Sequence, residues 1–414
     1  MSDATLPVTE DPPQTRPAHV RLALLALALG GFAIGTTEFV TMGLLPEVAR
    51  GVRIDIPTAG HIVSAYALGV VVGAPALATL GARMPRKTLL LWLMTFFAVA
   101  NVGSALTSGY GSLMVARFLS GLPHGAYFGI ASLVAASLVP VARRTWAVAM
   151  VLTGLTVANI VGVPVTTRLG QVFGWQWPYA AVGLIALLTV VAVWRWVPSC
   201  GAGTDTSARA ELRALTRPQV WFALAVGTVG FGGMFATFSY IAPTMTELGG
   251  FGAATVPLLL ALYGVGMTLG TIASGRVARV GLLNGIMIAL ASIAALLSVF
   301  GSAVAASRLT AVAAVLLLGF LPSVLVPMLQ TRLMDVAHEG QALAAALNHS
   351  TLNIANALGA WLGSVVLSAG LGYEWPSRVG AVLAVLGLGI ALWSAAAERS
   401  TRVRTGVSPL STGS

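Results

Sequence analysis

One carboxylate, that of Glu38, lies inside a long apolar stretch between about Val20 and Leu45. No other of the thirteen Asp and Glu residues lies as far inside such a stretch. The stretch matches the roughly 20 residues with which a helix crosses a bilayer. An ionised carboxylate there costs about 2.5 to 3.5 kcal/mol on insertion scales, so it normally faces protein or a water-filled cavity. Glu38 is therefore a candidate for binding a proton or a substrate.

Arg117 is the natural counterpart of Glu38, because it is a cation inside another apolar stretch, at about 112–139. Glu38 lies about seven residues before the end of its stretch, and Arg117 about five residues after the start of its own. In two helices that cross a membrane in opposite directions, these positions have similar depth. Matching depth permits an ion pair, in which protonation of Glu38 would respond to water access and to a bound substrate. A static ion pair, or an arginine that extends to the membrane surface, is the alternative.

His124 follows Arg117 by seven residues, which is two helical turns, so the two side chains share roughly one helix face. A histidine can relay protons near neutral pH. The alternative is a histidine that is simply hydrogen-bonded in the core, and this alternative applies more strongly to His349.

Several amide and aromatic side chains inside apolar stretches are further candidates for substrate contact. The amides, which could equally hold helices together by hydrogen bonds, are Asn159, Asn348, Asn353 and Asn356. The aromatic side chains, for which packing is the alternative, are Phe235, Phe238 and Tyr240. Of these we expect Asn159, Asn348 and the three aromatic residues to contact a substrate.

The composition is that of an integral membrane protein. The chain is 57% hydrophobic and 9% charged, whereas soluble domains are about 25% charged. Its formal charge of +10 is spread over short polar segments rather than one basic face, which argues against nucleic-acid binding and is typical of residues that flank membrane helices. The single cysteine, Cys200, excludes an internal disulfide. The sequence contains no P-loop and no metal-ligand or hydrolase motif, so we expect no cofactor, no metal and no enzymatic activity.

Twelve apolar stretches, each near the length of a membrane-spanning helix, divide the chain. They lie at about 20–45, 59–80, 88–105, 112–139, 146–169, 178–197, 221–244, 255–274, 282–305, 309–329, 342–369 and 377–397. The longest polar interval, 198–217, separates the first six from the last six. The pattern predicts an all-α membrane protein with twelve transmembrane helices in two six-helix bundles, 20–197 and 218–397. A linker at 198–217 and tails at 1–19 and 398–414 complete the predicted organisation.

The Lys and Arg residues are unequally divided between the two sides of the predicted membrane. Seventeen lie in the tails and the even-numbered loops, and five lie in the odd-numbered loops. Because cytoplasmic segments carry an excess of Lys and Arg, we expect the linker and both termini in the cytoplasm.

The two halves share a pattern with a constant spacing of 197 residues. The motif Y-x-x-G-x-x-x-G occurs in the second and eighth stretches, and the matched pairs are Tyr66 with Tyr263, Gly69 with Gly266 and Gly73 with Gly270. Pro46 and Pro243 have the same spacing. A chance match is the alternative to an internal repeat. Two parallel repeats predict a site between the halves near mid-membrane. The positions 197 residues after Glu38 and Arg117 hold Phe235 and Ala314, so only the first half carries the charges.

Several segments make the chain similar to a known family. GTTEFVTMGLLPEV at 35–48, ARFLSGLPHGAYFG at 116–129, GLTVANIVGVP at 154–164 and GARMPRK at 81–87 resemble motifs of the major facilitator superfamily. The resemblance, which spans about 21–397, is to its twelve-helix drug:proton antiporter branch, with bacterial chloramphenicol-resistance exporters and arabinose-efflux-like permeases. It implies a proton-coupling role for Arg117. It also implies an antiporter motif with Gly154, Gly162 and Pro164, and a gating loop with Arg83, Arg86 and Lys87.

The resemblance further implies that helices 1, 4, 7 and 10 line a cavity, which would bring Glu38 and Arg117 into one space. In this interpretation the protein is a monomer in the cytoplasmic membrane of a bacterium. It would export a small amphipathic or aromatic drug, such as chloramphenicol, in exchange for protons by alternating access. Glu38 would bind the proton or the substrate, Arg117 would tune it, and His124 would line the cavity. An uptake permease for a sugar or metabolite, and a non-transporting membrane receptor or enzyme, are the alternatives.

Overall fold

The computed structural model describes residues 17–81, 84–140, 143–199, 214–337 and 341–405, and no strand occurs among them. Twelve helices in this part of the chain are long and apolar enough to cross a membrane. Spans 1 to 6 are His19–Gly43, Ile56–Leu77, Arg86–Leu106, Tyr110–Ser137, Trp146–Phe173 and Gln176–Trp196. Spans 7 to 12 are Pro218–Phe238, Ala253–Val280, Leu282–Ala306, Arg308–Ala337, Leu347–Ser368 and Trp375–Arg399. The predicted all-α architecture with twelve membrane helices is confirmed.

The helix of span 12 extends further than its apolar stretch predicts. The helix runs from Trp375 to Thr405, whereas the apolar stretch ends near residue 397. Glu398 in this extension accepts a hydrogen bond from Arg332 at 2.8 Å and forms an ion pair with it. Hydropathy marks only the apolar part of a helix, and this polar extension is held by a charged partner instead. The predicted linker lies mostly outside the described residues.

Equivalent turns interrupt the first helix of each half. A turn at Leu44 (φ −110°, ψ 14°) separates span 1 from a short helix, Leu45–Val52. A turn at Ser239 and Tyr240 (φ −112°, ψ 20° at Tyr240) ends span 7 earlier than its apolar stretch predicts. A proline follows each turn, and a proline ring fits the first turn of a new helix but not the interior of a continuing one. The first helix of each half is therefore interrupted at about the same point.

Close packing between spans 2 and 4 recurs between spans 8 and 10. In each half, two glycines of the earlier helix lie against backbone carbonyls of the later one. In the first half Gly69 and Gly73 face the carbonyl oxygens of Phe118 and Leu122, and in the second half Gly266 and Gly270 face those of Leu316 and Phe320. The predicted repeat is thus a repeat of packing, because the absence of side chains at these positions lets the helices approach each other.

The recurrent contacts correct the predicted register by one residue. The equivalent carbonyls in spans 4 and 10 are 198 residues apart rather than 197, so the counterpart of Arg117 is Val315 and not Ala314. The turns at Leu44 and Tyr240 are 196 residues apart, whereas Pro46 and Pro243 just after them are 197 apart, so the counterpart of Glu38 is Met234 or Phe235. Loops of unequal length shift the register from one helix pair to the next. Both counterparts are apolar, so the charged pair belongs to the first half alone.

Substituting Gly73→Ala is expected to destabilise the protein, although alanine favours helix formation. A Cβ atom at Gly73 would lie 2.1 Å from the Leu122 carbonyl oxygen and 2.4 Å from its Cα. Backbone atoms cannot move aside, so the clash should cost about 1 to 3 kcal/mol and outweigh the gain of about 1 kcal/mol in helix propensity. The measurement is the melting temperature of the purified protein in detergent.

Gly129→Ala in span 4 is the matched control, since no atom would lie within 4 Å of its new Cβ. Its melting temperature should equal or exceed that of the unsubstituted protein. Equal melting temperatures for the two variants would contradict the packing argument.

The two halves meet along two seams, between spans 2 and 11 and between spans 5 and 8. In the first seam Ser64 Oγ donates to the Ala357 carbonyl at 3.0 Å, and His61 Nε2 lies 3.1 Å from Ser364 Oγ. In the second seam Gln171 Nε2 donates to a carbonyl of span 8 at 2.8 Å. We call the side of the bundle on which span 1 ends and span 2 begins the distal side. These contacts lie in the distal half of the bundle.

Candidate functional site at the seam between the halves

Glu38 lies in span 1 close to where the halves meet. Its side chain is buried, at 8% exposure, and forms no hydrogen bond or ion pair with any described residue. The next residue, Phe39, packs edge to face on Phe238 of span 7, with ring centroids 5.8 Å apart. Glu38 interacts electrostatically with Arg117. The carboxylate is thus buried between the halves with its hydrogen-bonding capacity unused.

Arg117 is fully buried and binds span 1 at the residue that precedes Glu38. Its guanidinium donates to Thr37 Oγ1 at 2.9 Å and to the Thr37 carbonyl at 3.0 Å. It lies over two aromatic rings, 4.4 Å from the centroid of Tyr66 and 5.1 Å from that of Tyr179. The depth match predicted from the sequence is confirmed. The ion pair with Glu38 that this depth permits does not form, because Arg117 faces the Thr37 side of the helix, about 100° from Glu38.

A chain of hydrogen bonds fixes the position of the Arg117 guanidinium. Thr37 Oγ1 accepts from Arg117 and donates to Asn101 Oδ1 at 2.6 Å, and Asn101 Nδ2 donates to the Phe97 carbonyl at 2.8 Å. All these partners are neutral. An arginine keeps its charge in proteins, and a buried charge without an ionised partner is costly. Glu38 is therefore the available countercharge, and its protonation changes the net charge of this region from zero to +1.

His124 also lies in the core of the first half, beside Arg117's aromatic neighbour. Its Nδ1 lies 3.0 Å from the hydroxyl of Tyr66, and its ring is 5.4 Å from that of Phe128. Phe128 in turn stacks on His349 of span 11, with centroids 5.9 Å apart and planes 1° from parallel. His124 therefore matches the alternative considered from the sequence, in which it is a histidine hydrogen-bonded in the core. His349, which we expected to be a core residue, reaches across to the first half.

The residues predicted to contact a substrate fall into different environments. Asn159 Nδ2 donates to the carbonyl of Leu155 in its own helix at 2.9 Å, which leaves its amide nitrogen engaged. Phe235 packs on Phe231 at 5.6 Å, and Tyr240 donates to the Ala360 carbonyl at 2.8 Å.

Two further candidates behave differently. Phe238 stacks on Tyr263 at 4.0 Å and packs on the ring of Phe39, so its ring packs on a ring of the first half. The buried Asn348 Nδ2 has no partner among the described residues.

The glycines of the predicted antiporter motif bring span 5 close to span 1. A Cβ at Gly154 would lie 2.0 Å from the Ala28 carbonyl oxygen, and one at Gly162 would lie 2.3 Å from Thr36 Oγ1. The helix widens into a π-helical turn at Ala158–Gly162, just before Pro164. Proline lacks the N–H that a regular helix needs, so the irregular turn lies where the sequence predicts a kink.

The basic residues of the predicted gating loop lie at the start of span 3. Arg86 is the first residue of that helix, and Lys87 Nζ donates to the Trp194 carbonyl at 2.8 Å near the end of span 6. A cation at the carboxyl end of a helix is favourably placed. Arg83 lies outside the described residues.

Sequence reasoning missed the neutral partners of Arg117. Thr37, Asn101 and Tyr179 hold or cover its guanidinium, and Tyr66 was noticed only as part of the repeat. A polar residue in the middle of an apolar stretch is a usable signal, and Asn101 in the third stretch carries it. Tyr179 carries no such signal, because aromatic residues are common in membrane helices.

A cavity of about 430 Å³ opens at the distal end of the seam and is lined by both halves. Three of its lining residues are acidic: Glu47, Asp55 and Glu247. Burial raises the pKa of Glu47, whereas hydrogen bonds from Thr58 lower the pKa of Asp55. No group of three or more His, Cys, Asp or Glu side chains that could hold a metal occurs in the described part of the chain.

Comparison with known proteins supports a transporter. The chain is 40% identical over 385 residues to the inner membrane transport protein YdhP of Escherichia coli (strain K12), which covers 92% of this chain and 98% of that protein. It is 34% identical over 262 residues to a chloramphenicol resistance protein of Streptomyces lividans, which covers 62% of this chain and 66% of that protein.

A solved structure has the same fold. The crystal structure of a D-xylose-proton symporter matches with a TM-score of 0.70 at 17% identity, covering 89% of this chain and 97% of that one. The family model for the Major Facilitator Superfamily matches residues 27–346. With twelve membrane helices, a repeated half and relatives of this kind, the chain belongs to the Major Facilitator Superfamily of membrane transporters.

Proposed function

We propose that this transporter exports small amphipathic or aromatic molecules in exchange for protons, and that antibiotics of the chloramphenicol type are among its substrates. The observation that carries the proposal is the unpaired, buried carboxylate of Glu38 beside the buried charge of Arg117. The similarity to a chloramphenicol resistance protein supports the substrate class.

In the proposed cycle the side that carries both termini faces the cytoplasm, as the distribution of Lys and Arg favours. Glu38 takes up a proton when the distal side is open and releases it to the cytoplasm when the distal side is closed. Substrate binds from the cytoplasm and is favoured when Glu38 is ionised. Proton and substrate thus compete for one region, and each favours a different conformation.

Opening of the distal side requires the two seams to separate there. The bonds between Ser64 and Ala357 and between His61 and Ser364 would break, together with the contact of Phe39 with Phe238. The cavity lined by Glu47, Asp55 and Glu247 would widen into the path by which protons enter and substrate leaves. Its three carboxylates outnumber the one lining arginine, Arg50, so the cavity favours protons and cationic solutes.

The test is efflux of radiolabelled chloramphenicol from energised cells that express the gene in a strain without its own drug exporters. Expression should lower accumulation, and an uncoupler of the proton gradient should restore it. Accumulation that rises on expression would indicate an uptake permease instead. Gradient-independent accumulation in cells, together with no flux in proteoliposomes for any of a panel of antibiotics and sugars, would contradict the proposal.

A further inference from the structure

Span 11 carries three buried asparagines whose amide groups are not fully paired, Asn348, Asn353 and Asn356, of which the last two lie deeper in the span. Asn356 is 0% exposed, and neither its Oδ1 nor its Nδ2 has a partner among the described residues. Asn353 is 4% exposed; its Nδ2 donates to the His349 carbonyl, but its Oδ1 has no partner there. An unpaired buried polar group costs about 1 to 3 kcal/mol, and the cost is hard to avoid inside a membrane. Three such residues on one helix therefore require an explanation.

The contacts of span 11 show which way these amides point. Ile354, Trp361 and Val365 are exposed and mark the lipid-facing side of the helix, about 140 to 180° away from Asn356. Gly359 lies against span 7 on one flank, while Ala357 and Ser364 bond span 2 of the other half on the opposite flank. Asn353 and Asn356 lie between these flanks, within about 60° of each other. They face the interior between the two halves.

Two contacts place this row opposite the first half, one near mid-membrane depth and one about two helical turns farther from the distal side. His349 lies on the same face, about 20° from Asn356, and its ring stacks on Phe128 of span 4. The Ser64 bond to Ala357, the residue after Asn356, brings span 2 to the same level. Asn356 is about 18 Å from the distal end of span 11, near the centre of a hydrocarbon core about 30 Å thick.

We propose that Asn353 and Asn356 form the part of the substrate site that recognises hydroxyl groups of a neutral molecule. A primary amide offers a carbonyl acceptor and two N–H donors in one plane, which complements a hydroxyl that both donates and accepts. Both side chains are uncharged, so they can bind hydroxyl groups without requiring a charge on the ligand. The inference rests on the proposed function and adds span 11 to the helices that bind substrate.

Neighbouring hydroxyl groups occur both in sugars and in hydroxylated aromatic antibiotics, and the two sources can be separated by binding. Thiamphenicol and florfenicol differ only in one hydroxyl, which is fluorine in florfenicol. D-arabinose and 2-deoxy-D-ribose offer a comparison between sugars with more and fewer hydroxyls. The measurement is the dissociation constant of each compound for the purified full-length protein, from ligand-induced changes in tryptophan fluorescence. In whichever class the protein prefers, antibiotic or sugar, the more hydroxylated compound should bind about tenfold more tightly than the other.

Asn356→Leu should reduce that preference to about twofold or less, and Asn353→Leu should act in the same direction. A stability measurement separates recognition from a structural role. Replacing an unpaired amide with an apolar group of similar shape is neutral or stabilising, so the melting temperature of Asn356→Leu should not fall. The matched control is Asn101→Leu, which removes an equally buried amide whose oxygen and nitrogen are both bonded, to Thr37 and Phe97. That variant should melt at a clearly lower temperature.

Three outcomes would overturn the inference. One is a hydroxyl preference that Asn356→Leu and Asn353→Leu leave unchanged. Another is a melting temperature that falls as far in Asn356→Leu as in Asn101→Leu. The third is that none of the four compounds binds. Because binding is measured without a proton gradient, these outcomes differ from failure of the proposed function, which would appear as binding without proton-driven flux.

Discussion

A Glu38→Gln variant is expected to insert and fold normally but to lose proton-driven transport, with flux falling at least about tenfold. Glutamine keeps the shape of the side chain and its neutral form, so the helix contacts around it remain. It cannot release a proton, so the region around Arg117 keeps a net charge of +1 throughout the cycle. The measurement is uptake of substrate into inverted membrane vesicles in which the proton gradient is set by a pH jump.

Glu374→Gln is the control for this variant. Glu374 is an exposed carboxylate just before span 12 that forms an ion pair with Arg378 and does not line the distal cavity. An exposed ion pair contributes little, so its substitution should leave the driven flux within about twofold of the original. Exchange of substrate for substrate, which needs no proton, should survive in Glu38→Gln at saturating substrate, with a weaker apparent affinity because glutamine resembles the protonated carboxyl. A variant with unchanged flux and unchanged pH dependence would exclude Glu38 as the coupling carboxylate.

In the sequence, the site can be recognised from the energetic cost of its charged side chains in a membrane, and not from motifs alone. A carboxylate and a guanidinium inside apolar stretches stand out because each is expensive in a membrane, and counting residues from helix ends placed them at one depth. Depth does not determine which side of a helix a long side chain faces. Arg117 therefore binds Thr37 rather than Glu38, a difference of about 100° that no spacing in one sequence can reveal.

The same limit applies to the asparagines and aromatic residues. Asn159, Asn348, Asn353 and Asn356 look alike in the sequence, as polar residues in apolar helices. Only the packing of neighbouring helices separates Asn159, which bonds its own helix, from Asn356, which bonds nothing described. The repeat could be recognised in the sequence because the glycines at the helix contacts recur at a constant spacing. Its exact register depends on loop lengths, so it was predicted only to within one residue.

The effect of an Arg117 substitution on stability should depend on whether Glu38 is present, even though the two side chains form no ion pair. Arg117→Met replaces the buried charge with an apolar side chain of similar length and leaves Thr37 without its donor, so this variant should lose both stability and transport. In the protein with Glu38, the substitution also removes the cation that balances an ionised carboxylate. In the Glu38→Gln protein, it removes a cation that has no countercharge.

The cost of Arg117→Met should therefore be smaller in the Glu38→Gln background, by about 1 kcal/mol. The measurement is a double-mutant cycle on unfolding free energies in detergent, at a pH where Glu38 is ionised in the unsubstituted protein. Ser120→Ala, which removes a weaker contact of Arg117 at 3.4 Å, serves as the control and should add independently to Glu38→Gln. If the changes in unfolding free energy of Arg117→Met and Glu38→Gln are simply additive, the two charges do not interact. Protonation of Glu38 then has no electrostatic effect on Arg117. If this coupling energy disappears when the pH is lowered enough to protonate Glu38, the interaction depends on the ionised state of Glu38.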